Sequence, residues 1–159
     1  MSAFIEPIDA AYFAPNGRCA AGIAWFRSAD GFMNAGDDAV LSRLMAESHV
    51  SVIRDPEIPP VLYMVGAQSP AAATFGEEWA ADATGAAGVP DEEAERLCNA
   101  AYYDAAARER PVAHVCRASF RVSPARKVDL FYTRLLLPLR RRGRPPLILC
   151  CADLMRHDS

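Results

Sequence analysis

An α+β fold built on an antiparallel sheet is what this sequence predicts, and three observations carry that expectation. Two short β-type runs come early, an Ala-rich helical stretch fills the middle, and three long β-type runs close the chain. Strands grouped at both ends of a helical block, rather than alternating with helices, favour antiparallel pairing. A chain of 159 residues with 52% hydrophobic residues is sized for one packed domain.

The elements follow in order. Residues 1–36 hold Pro7, Pro15, Gly17, Gly22, Gly31 and Gly36 and show no sustained periodicity. They are expected to form a partly ordered arm, with the apolar piece from Ala20 to Phe26 docking on the body. Asp37 to Ser48 reads as a helix that caps the domain, with Asp37 or Asp38 at its start and a narrow apolar stripe of Val40, Leu41, Leu44 and Met45. Val50 to Arg54 and Val61 to Val65 are strands, separated by a turn in which Pro56, Pro59 and Pro60 forbid helix. Ser69 to Ala83 reads as short helices broken at Gly76, with Pro70 in a first turn. Asp91 to about Arg108 is the clearest helix. Ala94, Leu97, Cys98, Ala101, Tyr102 and Ala105 fall at i, i+3, i+4, i+7, i+8 and i+11, so Leu97 is expected against the sheet.

Pro111 to Val122 alternates, with His114, Cys116, Ala118 and Phe120 on one face and Arg117, Ser119 and Arg121 on the other. Val128 to Leu139 and Pro146 to Leu154 complete the set, joined by the arginine-rich turn Arg140 to Pro145. The domain is expected over residues 37–154, with 155–159 as a short tail.

Composition removes several classes of function. A net charge of −3 argues against a nucleic-acid binder. The first ten residues carry Glu6 and Asp9 and no Lys or Arg, the wrong charge for a secretory n-region, and no apolar run reaches membrane-spanning length. A cytoplasmic protein is expected. Cys19, Cys98, Cys116, Cys150 and Cys151 are odd in number and form no CxxC or zinc-type set, so they read as free thiols, and no metal site is expected. There is no GxSxG, Walker loop, HExxH or Rossmann fingerprint.

Local wording adds a resemblance. Tyr63-Met64-Val65-Gly66, Phe75-Gly76-Glu77-Glu78-Trp79 and the strand Phe131-Tyr132-Thr133-Arg134-Leu135-Leu136-Leu137-Pro138-Leu139 resemble a bacterial PAS-like family of small stand-alone proteins, over about residues 37–154. The resemblance implies a five-stranded antiparallel sheet, two strands first and three last, with the helical segment crossing one face. It further implies a sensory, signal-transducing domain that binds a small ligand or a partner protein and has no catalytic output of its own. No kinase, cyclase or DNA-binding module follows the last strand, so a stand-alone adaptor or modulator is expected.

Phe75, Trp79, Tyr102, His114, Cys116 and Arg134 are the candidate ligand-binding residues. The aromatics are placed to line a cavity between helices and sheet. Arg134 is the odd residue in an apolar strand, suited to a carboxylate or phosphate or to snorkelling its head into solvent. Haem is disfavoured because the long helix has no histidine. A flavin photoadduct is disfavoured because no cysteine lies between Ser69 and Pro90. No cofactor is therefore expected. The rival from another class is a small cavity enzyme of the ketosteroid-isomerase type, which needs an acid inside the cavity; Asp129 is the only acid in mid-sheet.

A last expectation concerns partners. Leu135 and Leu137 share one face of their strand and Leu136 shares the other with Tyr132. One short helix is too small to cover the outer sheet face, so a homodimer or a signalling protein is expected to pack there, against Val40, Leu41, Leu44, Met45, Leu135 and Leu137. The alternative is that the N-terminal arm, through Ile23, Trp25 and Phe26, wraps back over that face.

Overall fold

The computed structural model describes residues 3–33, 38–54, 59–86 and 88–155. Asp37, Pro56 and most of the expected tail lie outside them. Six strands make one antiparallel sheet: β1 (Phe4–Pro7), β2 (His49–Val52), β3 (Val61–Val65), β4 (Val112–Ser123), β5 (Arg126–Arg141) and β6 (Arg144–Leu154). Their order across the sheet is β1-β4-β5-β6-β2-β3. The three long strands form the middle, and the β2–β3 hairpin adds on to β6.

The sheet differs from expectation at its edge. The expected five strands are six, because the N-terminal segment contributes β1, with Ile5 opposite Cys116 of β4. Sequence periodicity had no purchase on so short a strand.

Register explains the two faces. Leu135, Leu137 and Leu139 of β5 stand opposite Cys151, Leu149 and Leu147 of β6, and all six side chains point to one side. Leu136, Arg134 and Tyr132 stand opposite Cys150, Ala152 and Leu154 and point to the other. The expectation of helices on one face only is corrected here. Helix α1 (Arg18–Ala29) and helix α2 (Ala39–Ala46) cover the first face, while α3 (Pro70–Phe75), α4 (Glu77–Asp82) and α5 (Glu92–Arg108) lie on the second.

Helix α1 comes from the stretch expected to be a partly ordered arm. It sits close to the sheet because its contact residues are small: Cys19 and Gly22 are buried together with Trp25. A Cβ at Gly22 would meet Leu137, Cys151 and Leu135 at 3.0–3.1 Å, so glycine sets the helix-to-sheet distance. Its N-terminus is held by Asp153 at the end of β6, whose carboxylate accepts from the backbone N–H groups of Arg18 and Cys19 at 2.8 and 3.0 Å. A carboxylate at that end of the helix suits both its unpaired donors and its dipole. Helix α2 starts at Asp38, which accepts from Leu41 N and also from the Trp25 indole, tying the two helices together. These two hydrogen bonds hold the Asp38 carboxyl below its usual range.

On the opposite face Asp91 caps α5 through Ala94 N and takes a second bond, at 2.7 Å, from the Arg121 N–H of β4. That bond fixes where the helix begins over the sheet. The helix then buries Ala94, Cys98, Tyr102 and Ala105. Leu97 is a correction: it is 45% exposed. The buried stripe runs along 94, 98, 102 and 105, and Leu97 lies at its margin.

Candidate functional site

Between α3, α5 and the second sheet face lies a cavity of about 70 Å³. The sheet provides its floor in cross-strand rows. Tyr132 and Leu154 are paired in one row, Arg134 and Ala152 in the next, and Cys150 faces His49 of β2 in the third. Pro70, Ala71, Thr74 and Phe75 of α3 and Cys98 and Tyr102 of α5 form the roof. Helix α3 is aimed there by Ser69, which accepts from Ala72 N and caps a helix whose first turn carries Pro70.

Arg134 is the chemical centre of this arrangement. Its side chain lines the cavity while the residue is only 2% exposed, so the snorkelling expected as one alternative does not occur. Its Nη2 approaches His114 Nδ1 at 3.4 Å, and its guanidinium lies 5.8 Å from the centre of the Tyr102 ring. Its Nε has no hydrogen-bond partner among the described residues. The ion pairs of the described residues are formed by other arginines: Arg18 and Arg43 with Glu47, Arg108 with Asp104, and Arg140 with Asp30.

His114 stands opposite Arg134 across the β4–β5 ladder. Burial, helped by the neighbouring guanidinium, pulls its imidazole down to about 4, so it is neutral at physiological pH and able to accept from Arg134. The cavity wall has a second polar pair, His49 Nε2 and the Tyr102 hydroxyl at 3.0 Å. Burial pushes the Cys116 thiol up to about 12 and the Tyr132 hydroxyl up as well. Neither group is ionised at neutral pH. Burial likewise pushes the Cys151 thiol up to about 12.

Three of the six residues expected at a site line the cavity: Phe75, Tyr102 and Arg134. The other three stand behind it. Trp79 packs on Phe75 with ring centres 5.1 Å apart, His114 backs Arg134, and Cys116 is buried under the helices next to Tyr132. Sequence reasoning missed His49, Phe120, Leu130, Tyr132 and Cys150. For Leu130 and Tyr132 the signal was present, since residues two and four positions from Arg134 on a strand share its face. For His49 there was none, because only the β2–β6 register brings it there.

The six residues expected at a partner interface are placed differently. Leu135 and Leu137 lie fully buried beneath α1, and Leu41 and Leu44 are buried in the same cluster, with Met45 packed against it. Val40 alone of the six is exposed. The outer face is thus covered within the chain by the segment carrying Ile23, Trp25 and Phe26. The arginine-rich turn is a hairpin end at Gly143. Its Arg140 lies against Phe26 and Phe32 and pairs with Asp30 at 3.2 Å.

No group of three or more His, Cys, Asp or Glu side chains among the described residues is arranged to hold a metal ion. No helix among them is long and apolar enough to cross a membrane. Comparison with protein-family models, with curated proteins and with solved structures finds no match for this chain.

Proposed function

We propose that this protein is a PAS-like sensory domain that acts by taking a small ligand into the cavity between α3, α5 and the sheet, and passes the change to a partner protein without catalysis of its own. The observation that carries the reading is the cavity itself: a mostly apolar chamber with one buried cation among the described residues of its wall. Ligand pockets commonly combine apolar lining with a few convergent polar groups. The order of elements supports the PAS-like assignment, since a hairpin (β2, β3) precedes the crossing helices and three strands (β4 to β6) follow them. A cytoplasmic setting belongs to this reading, and five buried cysteines outside any disulfide are in keeping with it.

The rival, a cavity enzyme of the ketosteroid-isomerase type, needs a carboxylic acid positioned in the chamber. The described lining holds no Asp or Glu, and Asp129 is exposed on its strand. Native mass spectrometry of freshly purified protein, desalted gently, tests the proposal. The expected result is a small bound mass that dissociates on collisional activation and is absent from a variant with the chamber filled, Cys98→Met with Ala152→Leu. Protein that carries no such mass, and takes none up from a mixture of small metabolites, would sink it.

A further inference from the structure

The cavity also says what class of ligand it takes, an inference that rests on the binding role proposed above. We propose that the ligand is a short-chain monocarboxylate, its carboxylate on the Arg134 guanidinium and its hydrocarbon end among Phe75, Phe120 and Leu130.

The charge argument comes first. A guanidinium stays protonated at any pH the protein meets, and a buried charge is costly unless it is paired. Among the described residues the contacts of Arg134 are a neutral imidazole at 3.4 Å and the face of a tyrosine ring, neither of which neutralises it. Its Nε is buried and unpartnered among the described residues. A guanidinium presents paired N–H groups that receive a carboxylate bidentately, the strongest pairing such a group makes.

The surroundings decide between anions. Among the described residues the lining holds one cation, a few neutral polar groups (His49, Thr74, Tyr102 and Tyr132) and a larger apolar part that includes Phe75, Val89, Phe120, Leu130 and Ala152. A phosphate carries up to two charges, which a single guanidinium among the described lining balances only in part. A monocarboxylate brings one charge and an apolar tail that the lining is suited to bury. Volume decides tail length. A void of about 150 Å³ accepts benzene, and this cavity has about 70 Å³. A short tail, in the range of propionate, butyrate or isobutyrate, suits that space.

The test is isothermal titration calorimetry, with thermal shift in parallel, in a buffer free of carboxylate and phosphate. The ligands are sodium butyrate, butyramide and sodium phosphate. Butyrate is expected to bind and raise the melting temperature. Butyramide, of the same shape without the charge, is expected to bind at least about tenfold more weakly, as is butyrate to Arg134→Met, since a charge-assisted hydrogen bond is worth that factor or more. Arg134→Met is expected to fold, because replacing a buried charge by an apolar side chain of similar size is often neutral or stabilising. Ala71→Leu, at the roof and distant from the core, is a second variant that narrows the chamber and keeps the arginine; it too is expected to lose butyrate. Equal binding of butyrate and butyramide, or undiminished binding by either variant, overturns the carboxylate assignment and leaves the small-ligand reading standing. Tighter binding of phosphate overturns it in favour of a phosphate ligand. No binding of butyrate at all overturns it outright, and the native mass measurement then decides separately whether the chamber binds anything.

Discussion

At the scale of single residues, two positions lend themselves to measurement. His114 is buried and neutral, with its folded-state value near 4 against an ordinary 6.5. Between those values the unfolded chain binds a proton that the folded one does not, so stability is full above about pH 6.5 and falls as the pH drops toward 4. At about 1.4 kcal/mol per unit the loss comes to roughly 3 kcal/mol. Melting temperatures from pH 7.5 to 4.5 should show that decline, and His114→Gln should flatten it; an equally steep profile in the variant would place the acid sensitivity elsewhere. Gly66 is the second position. A Cβ there would run into the backbone carbonyl oxygens of Ala46 and Met45 at the end of α2, and backbone cannot swing aside as a side chain can. Gly66→Ala should cost about 1–3 kcal/mol, the usual penalty of overpacking, read from chemical denaturation. The sequence marked both residues but not their roles. His114 was legible as a core-facing residue from strand alternation, whereas the close approach at Gly66 depends on how a hairpin docks against a helix, which no local pattern encodes.

At the scale of elements, the strands were the legible part. Val61–Val65 falls where expected, and β4, β5 and β6 begin and end within two residues of the bounds that alternation and turn residues suggest. Helix α1 was not legible. Gly17, Gly22 and Gly31 read as chain breakers, yet Gly22 is what lets the helix lie close to the leucines of β5. The spacing of Cys19, Gly22, Ile23 and Phe26 was helical all along, with glycine and cysteine standing where larger apolar residues are usually sought. Helix α5 was legible in extent and, apart from Leu97 at the margin of the stripe, in phase, and the phase is testable. Leu97→Ala removes a side chain that is nearly half exposed and should change stability by no more than about 0.5–1 kcal/mol. Ala105→Leu forces a larger group into a fully buried contact with the sheet and should cost about 1–3 kcal/mol. A reversed ranking of the two in urea denaturation would mean that the helix is rotated toward the Leu97 side.

At the scale of the whole molecule, the central fact is that one sheet has two covered faces made by different parts of the chain. The face carrying Leu135, Leu137, Leu139, Leu147 and Leu149 is closed by α1 and α2, and the opposite face is closed, around the cavity, by α3, α4 and α5. The argument for a second subunit began from an open outer face, and that face is occupied by residues of the same chain. The N-terminal segment is therefore structural: β1 extends the sheet past β4, α1 covers the leucines, and Asp153 reaches back to hold α1 by its first backbone N–H groups. Deleting residues 1–33 should bare five leucines that are at most 2% exposed. Each buried leucine is worth roughly 1.5–3 kcal/mol, so together they approach the whole stability of a typical domain, about 5–15 kcal/mol. The truncated protein should be insoluble, or soluble only as an associated species without a cooperative melting transition, as judged by light scattering and circular dichroism. A truncated protein that stays monomeric and melts cooperatively near the full-length temperature would show that the first helix is an accessory after all. A truncated protein that forms a well-folded dimer would show instead that the same apolar face accepts a second copy once α1 is gone.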